Sequence, residues 1–183
     1  MRIISGNHKG RKILAPKKLP VRPTTDRAKE GVFNILNHQI SFSEVNVLDL
    51  FSGTGNISYE FASRGSLKVT SIDKNKYCID FIKKTSNNLN LDLTIIHIDA
   101  ISYLEQNNSK FNLIFADPPY DISDQLYNKI IFLSRRNLSL NGLLIMEHNK
   151  VVDFSDLVGF TYERKYGNNI FSFFKFKYKF WKF

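Results

Sequence analysis

Apolar and β-branched residues in this chain concentrate in short segments, at residues 45–50, 68–72, 93–98, 111–116 and 142–147, each of strand length. The segment 111–116, apolar but for Asn112, predicts a strand buried on both faces. Between these segments the apolar positions change to helical spacing. Ala28, Val32, Ile35 and Leu36 share one face, as do Cys78, Ile82 and Thr85, and again Leu126, Ile130 and Leu133. Residues 57–63 and 101–106 complete the helical set, and Gly65 is a helix stop. Strands alternating with helices predict a parallel sheet covered on both faces. Residues 160–164 and 170–178 read as two more strands, a hairpin across Gly167-Asn168-Asn169. The expectation is an α/β fold with a seven-stranded, mostly parallel sheet and one antiparallel strand.

The first residues follow another pattern. Residues 2–14 predict a β-hairpin in which Ile3 and Ile4 face Ile13 and Leu14 across a glycine-bounded turn. Residues 16–23 carry three prolines and predict an extended linker. Thr24 or Thr25 then caps a helix, with Asp26 in its first turn. Residues 1–23 therefore form a basic hairpin and linker, and residues 24–183 the main domain.

Charge sharpens this division. The net charge is +9, but residues 1–30 hold nine Lys/Arg against two acids, and residues 164–183 hold six against none. The middle is mildly acidic. A body with basic ends points to a polyanion partner. The 183 residues suffice for one domain with a core. Cys78 is the only cysteine, so no internal disulfide forms, and its place on an apolar face predicts core packing. His8, His38, His97 and His148 lack metal-ligand spacing, so no metal is expected. With no apolar leader and no run of membrane-spanning length, a cytoplasmic location is expected.

The candidate chemistry sits where strands end. The first run leads into Asp49-Leu50-Phe51-Ser52-Gly53-Thr54-Gly55-Asn56, whose glycines let backbone and ligand approach closely. Asp73-Lys74 closes the next strand, placed to accept hydrogen bonds from ribose hydroxyls. A dinucleotide would also suit this pair, and Ser58 nearly completes that pattern. Asp49 favours S-adenosylmethionine (SAM) instead, since a carboxylate beside the turn suits an ammonium group and repels a pyrophosphate. Asp99-Ala100 ends the third strand, within reach of an adenine amino group or simply as a helix cap. The fourth strand stops at Asp117-Pro118-Pro119-Tyr120. Two prolines end the strand rigidly, leaving carboxylate oxygens, a backbone carbonyl and an aromatic face for an exocyclic amino group on a planar base.

Together these stretches resemble a known family. Arg2-Ile3-Ile4-Ser5-Gly6, Gly10-Arg11-Lys12-Ile13-Leu14, Arg22-Pro23-Thr24-Thr25-Asp26-Arg27-Ala28-Lys29-Glu30, Phe33-Asn34-Ile35-Leu36, the turn after Asp49 and Asp117-Pro118-Pro119-Tyr120 are similar to the RsmD-type methyltransferases of bacteria. The resemblance implies a Rossmann-like class I SAM-dependent fold. It also implies transfer of methyl to the exocyclic N2 of one guanine in 16S ribosomal RNA, free or within a partly or fully assembled small subunit, by a monomer. Asp117, Pro118, Pro119 and Tyr120 are then catalytic. Asp49, Phe51, Ser52, Gly53, Thr54, Gly55, Asn56, Asp73, Lys74, Asp99 and Ala100 bind SAM. Arg2, Lys9, Arg11, Lys12, Arg22 and Arg27 contact RNA, and residues 24–34 form a lid over the cofactor. Ser52 stands where the family usually has alanine, and Gly31-Val32 where Ala-Leu is common. The Asp-Pro-Pro-Tyr motif also occurs in DNA adenine-N6 methyltransferases, which makes that activity the alternative. A non-catalytic, nucleotide-binding RNA-associated protein is a further reading.

Overall fold

Seven strands form one sheet in the order β3-β2-β1-β4-β5-β7-β6 in a computed structural model of the chain, which describes residues 1–16 and 25–176. The strands are β1 (Asn46–Asp49), β2 (Lys68–Asp73), β3 (Thr94–His97), β4 (Phe111–Ala116), β5 (Leu138–His148), β6 (Phe160–Tyr166) and β7 (Asn169–Lys175). Strands β1 to β5 pair in parallel. Strand β7 enters antiparallel between β5 and β6, so the one reversed strand is the expected one. The helices are α1 (Asp26–Asn37), α2 (Asn56–Ser63), α3 (Lys76–Asn88), α4 (Ala100–Gln106) and α5 (Asp124–Asn137).

The apolar runs explain the layering. One cluster joins Leu48, Ile114, Leu144 and Met146 to Tyr127, Ile130 and Leu133 of α5. The other joins Val47, Leu113, Phe115 and Ile145 to Ala28, Val32, Phe33 and Leu36 of α1 and to Phe61 of α2. Alternate residues of β1, β4 and β5 thus feed opposite layers, as the two-residue period of a strand requires. Side-chain caps start most helices. Thr25 accepts from Ala28 N, Asn75 from Tyr77 N and Cys78 N, Asp99 from Ser102 N and Ser123 from Leu126 N.

Three local features have physical causes. The N-terminal segment is a short hairpin: Ile3 N donates to the Arg11 carbonyl and Ile13 N to the Met1 carbonyl, both at 3.0 Å, around the antiparallel bridge of Arg2 with Lys12. The N–H groups of Ile4 and Ser5 donate to the Glu60 carboxylate, at 2.7 and 3.0 Å, which docks the hairpin on α2. Ile3 and Ile13 bury against Tyr59 and Ile82, while Leu14 is exposed. Strand β5 starts at Leu138 rather than Gly142, because Leu138 pairs with Phe111 across a register shift. Gly31 lies against the Tyr166 ring, where a Cβ would come within 2.2 Å of ring carbons. The helix therefore carries a glycine, at up to about 1 kcal/mol of propensity, so that β6 can approach α1. The predicted linker beyond Pro16, Arg22 and the end of the last predicted strand fall outside the described residues. Among the described residues no helix is long and apolar enough to cross a membrane.

Candidate active site

Strands β1, β2, β3 and β4 run in parallel, so their carboxyl ends lie along one edge of the sheet. A cleft of about 580 Å³ opens there. Its wall brings together Asp49, Phe51, Ser52, Gly53, Thr54, Asn56, Asp73, Lys74, Asp99, Ala100, Asp117, Pro118, Pro119 and Tyr120. These residues span much of the sequence and meet because ligands of open α/β sheets bind outside the strands' carboxyl ends. Of the predicted set for this edge, Gly55 alone is not in the wall. It turns the chain into α2 at φ +80°, with the Tyr59 ring where a Cβ would go, so its role is to shape the turn.

The turn after β1 is held from both sides. Ser52 donates from its hydroxyl to the carbonyls of Asp49 and Ile72, both at 3.0 Å. That hydroxyl ties the ends of β1 and β2, which explains how a buried serine sits where the resemblance has alanine. Gly53 N donates to Asp73 Oδ2 at 2.8 Å, and Asn75 N to Asp73 Oδ1 at 2.7 Å. The Asp73 carboxylate is thereby fixed in the wall, with lone pairs beyond those two bonds. Asp99 caps α4 through Oδ1 and also lines the cleft, so its two sequence readings are compatible.

Asp49 is buried and accepts from Ser58 at 2.6 Å, and Ser58 in turn accepts from Ser71 at 2.7 Å. Burial pushes the Asp49 carboxyl up to about 7. The Ser58 hydrogen bond opposes that rise, and the Asp73 charge adds to it. A buried carboxyl poised near neutrality beside a tight glycine turn suits a cationic ligand group and opposes an anionic one.

Beyond β4, Asp117 follows Ala116, whose register partner on β5 is Met146. The Tyr120 hydroxyl donates to Glu147 Oε1 at 3.2 Å, and Asn169 donates to the same oxygen from β7. Asn149 donates to the Tyr120 carbonyl at 3.4 Å. Glu147 and Asn169 are both buried and both line the cleft. Neither was singled out in the sequence. The available signal was Glu147 itself, a carboxylate ending an apolar run as Asp117 does; Asn169 gave none.

The described members of the predicted RNA-contacting set lie outside the cleft wall. Arg2, Lys9, Arg11, Lys12 and Arg27 are exposed, and Arg2 sits 3.8 Å from Asp26. The lid expectation fails for the described part of residues 24–34. That part is packed helix, with Ala28, Val32 and Phe33 in the core, and it contributes nothing to the cleft wall. Lys29, counted above among the basic residues, is fully buried. It donates to the Arg2 carbonyl at 2.6 Å and to Asn56 Oδ1 at 2.7 Å, and lies 3.4 Å from Glu60. Burial pulls its ammonium below the ordinary lysine value, against the pull of Glu60 and Asp26. Thr54 reaches Met1 Sδ at 3.4 Å, so the N-terminal segment supports the glycine turn directly.

A family profile described as "Conserved hypothetical protein 95" matches residues 1–175. Ribosomal RNA small subunit methyltransferase D of Haemophilus influenzae is 34% identical over 157 residues, covering 82% of this chain and 79% of that protein. The chain belongs to this methyltransferase family. The solved structure of Escherichia coli yhhF, a proposed methyltransferase, superposes with a TM-score of 0.83 at 27% identity, covering 98% of this chain and 99% of that one. The fold also matches RsmC of Thermus thermophilus, a 16S rRNA N2 methyltransferase solved with AdoMet and guanosine. There the TM-score is 0.71 at 17% identity, over 84% of this chain and 44% of that one. The fold is shared with the SAM-dependent methyltransferases, and the relatives of this chain are named as methyltransferases. The cleft fits SAM, with a buried acid for an ammonium, a close-approach turn, and carboxylates at two further strand ends.

Proposed function

We propose that this chain methylates the exocyclic N2 of one guanine in 16S ribosomal RNA, with residues 49–56, 73–74 and 99–100 holding SAM and residues 117–120 holding the base. The observation that carries the reading is that a SAM-fitted wall and the Asp-Pro-Pro-Tyr corner line one cleft. SAM, when bound, supplies a methyl group already activated on a sulfonium. The guanine amino nitrogen is a poor nucleophile because its lone pair is delocalised into the ring. Asp117 and the Pro118 carbonyl each accept one amino hydrogen, which lets the nitrogen pyramidalise and present that lone pair. Asp117 also stabilises the positive charge that develops on nitrogen. Alignment of this kind accounts for up to about 7–11 kcal/mol of a barrier. Tyr120 offers its ring for stacking, worth about 1–3 kcal/mol per base, and the base leaves its stack to arrive there.

Arg2, Lys9, Arg11, Lys12, Arg22 and Arg27 hold phosphates and orient the RNA without reading its sequence. The basic N-terminal segment supports a structured ribonucleoprotein surface, a partly or fully assembled small subunit, as the partner. The enzyme acts as a cytoplasmic monomer. The names of the relatives favour RNA over DNA. Incubation with tritiated SAM and naked 16S rRNA, small subunits from cells lacking the protein, or duplex DNA tests this reading. Label is expected in RNA; label in DNA alone would overturn it.

Asp49 makes SAM binding pH-dependent. Only its ionised form pairs with the ligand's ammonium, and its carboxyl is raised to about 7. Calorimetric affinity should therefore weaken by about tenfold per pH unit below that value, and Asp49→Asn should flatten the profile. The ligand-free protein responds in the opposite sense. The fold holds a proton that the unfolded chain releases near pH 4, so rising pH lowers its stability between about 4 and 7.

A further inference from the structure

The geometry points to Glu147 as the residue that reads the guanine N1–H and so decides guanine over adenine, an inference that rests on the proposed action at guanine N2. Asp117-Pro118-Pro119-Tyr120 accepts an amino group and offers a stacking face, which adenine satisfies as well as guanine. The two bases differ beside the amino group. Guanine carries an N1–H donor there, whereas adenine carries an N1 lone pair. A group that accepts hydrogen bonds and donates none, set next to Asp117, separates them.

Glu147 occupies that place. Ala116 of β4 and Met146 of β5 are register partners in a parallel pair. The next residue in each segment is a carboxylate, Asp117 just past the end of β4 and Glu147 within β5, and neighbouring strands run about 4.8 Å apart. Both carboxylates line the cleft. Their charges also converge on one neighbour. The Tyr127 hydroxyl is raised to about 12 by burial, with Asp117, Asp124, Asp121 and Glu147 adding to the rise. Glu147 is 1% exposed, and its Oε1 receives Tyr120 and Asn169. An ionised carboxylate is an acceptor only. Opposed to N1–H it gains a charge-assisted bond; opposed to an adenine N1 it meets a lone pair in a desolvated site. Asn169 and Tyr120 hold the carboxylate, so they are positioning residues for this reading.

2-Aminopurine separates N1 from the amino group, because it keeps the amino group at C2 and has a lone pair at N1. Small-subunit RNA carrying guanine or 2-aminopurine at the mapped target is the substrate pair, assayed with tritiated SAM. The wild-type enzyme is expected to prefer guanine by about 100-fold or more. Glu147→Gln, whose amide can donate, should slow guanine transfer about 10- to 100-fold and narrow the preference at least about tenfold. SAM affinity by calorimetry should stay unchanged, which reports a folded variant. Tyr120→Phe removes one hydrogen bond to the Glu147 carboxylate but leaves the acceptor and its Asn169 partner in place, so it should narrow the preference less than Glu147→Gln does. A Glu147→Gln enzyme that keeps the wild-type preference overturns the inference while the guanine reading stands. Wild-type transfer to 2-aminopurine at the guanine rate overturns it without recourse to any variant. Wild-type transfer to adenine N6 and not to guanine overturns both.

Discussion

Asp117→Ala is expected to lower methyl transfer by about 1,000-fold or more while SAM still binds. Loss of the carboxylate removes one acceptor for the amino hydrogens and the charge that opposes the cation forming on nitrogen. The Pro118 carbonyl remains, because it belongs to the backbone. Binding should survive because the wall assigned to SAM comes from other elements, the ends of β1, β2 and β3, held by Ser52, Gly53 and Asp73. Titration calorimetry with SAM and a tritiated-methyl assay separate the two effects. Near-normal transfer by the variant would remove Asp117 from its assigned role. Loss of SAM binding in step with activity would mean that residue 117 serves the cofactor instead.

The largest expected effect on stability is far from the reacting atoms. Glu60 is fully buried and takes Lys29 at 3.4 Å and Arg64 at 2.8 Å, together with the N–H groups of Ile4 and Ser5. Arg64 also lies over the Phe33 ring, 4.7 Å from its centroid. Glu60→Ala leaves the buried Lys29 ammonium without its counter-charge and two backbone donors without their acceptor, a loss of about 3–5 kcal/mol. For a domain of this size that lowers Tm by roughly 6–20 °C, readable by thermal or urea unfolding. Lys29→Met should cost less, because Glu60 keeps Arg64 and both N–H groups. The N-terminal segment should become protease-sensitive in Glu60→Ala, since its tie to α2 is gone. A loss below about 1 kcal/mol would show that the cluster contributes little beyond packing, as solvated ion pairs do.

Local pattern and tertiary environment agree along the parallel strands of the sheet. The segments at 45–50, 68–72 and 111–116 bury side chains on both faces because both sheet faces are covered, and an acid at or next to the end of each lines the cleft. Asp49, Asp73, Asp99 and Asp117 were therefore visible as a set. Glu147 and Asn169 were not, because their meaning comes from β5 and β7 being neighbours, a non-local pairing that no spacing encodes. The network around Lys29 was hidden for a different reason. A lysine and a glutamate on two helices read as solvated charges, and only the packed α1, α2 and N-terminal segment reveal that they are enclosed. The same enclosure ties the Ile4 and Ser5 donors of the N-terminal hairpin to Glu60, and it places α1 in the core rather than over the cleft.

The most direct test of the function is chemical identification of the product. Small subunits from cells lacking the protein are incubated with the purified enzyme and isotopically labelled SAM. Their RNA is then digested to nucleosides and resolved by mass spectrometry against synthetic standards. The structure and the family together predict a single labelled product, N2-methylguanosine, from 16S rRNA, absent with Asp117→Ala. Labelled N6-methyladenosine, or label on a guanine ring nitrogen, would contradict the assignment of Asp117-Pro118-Pro119-Tyr120 to a guanine amino group.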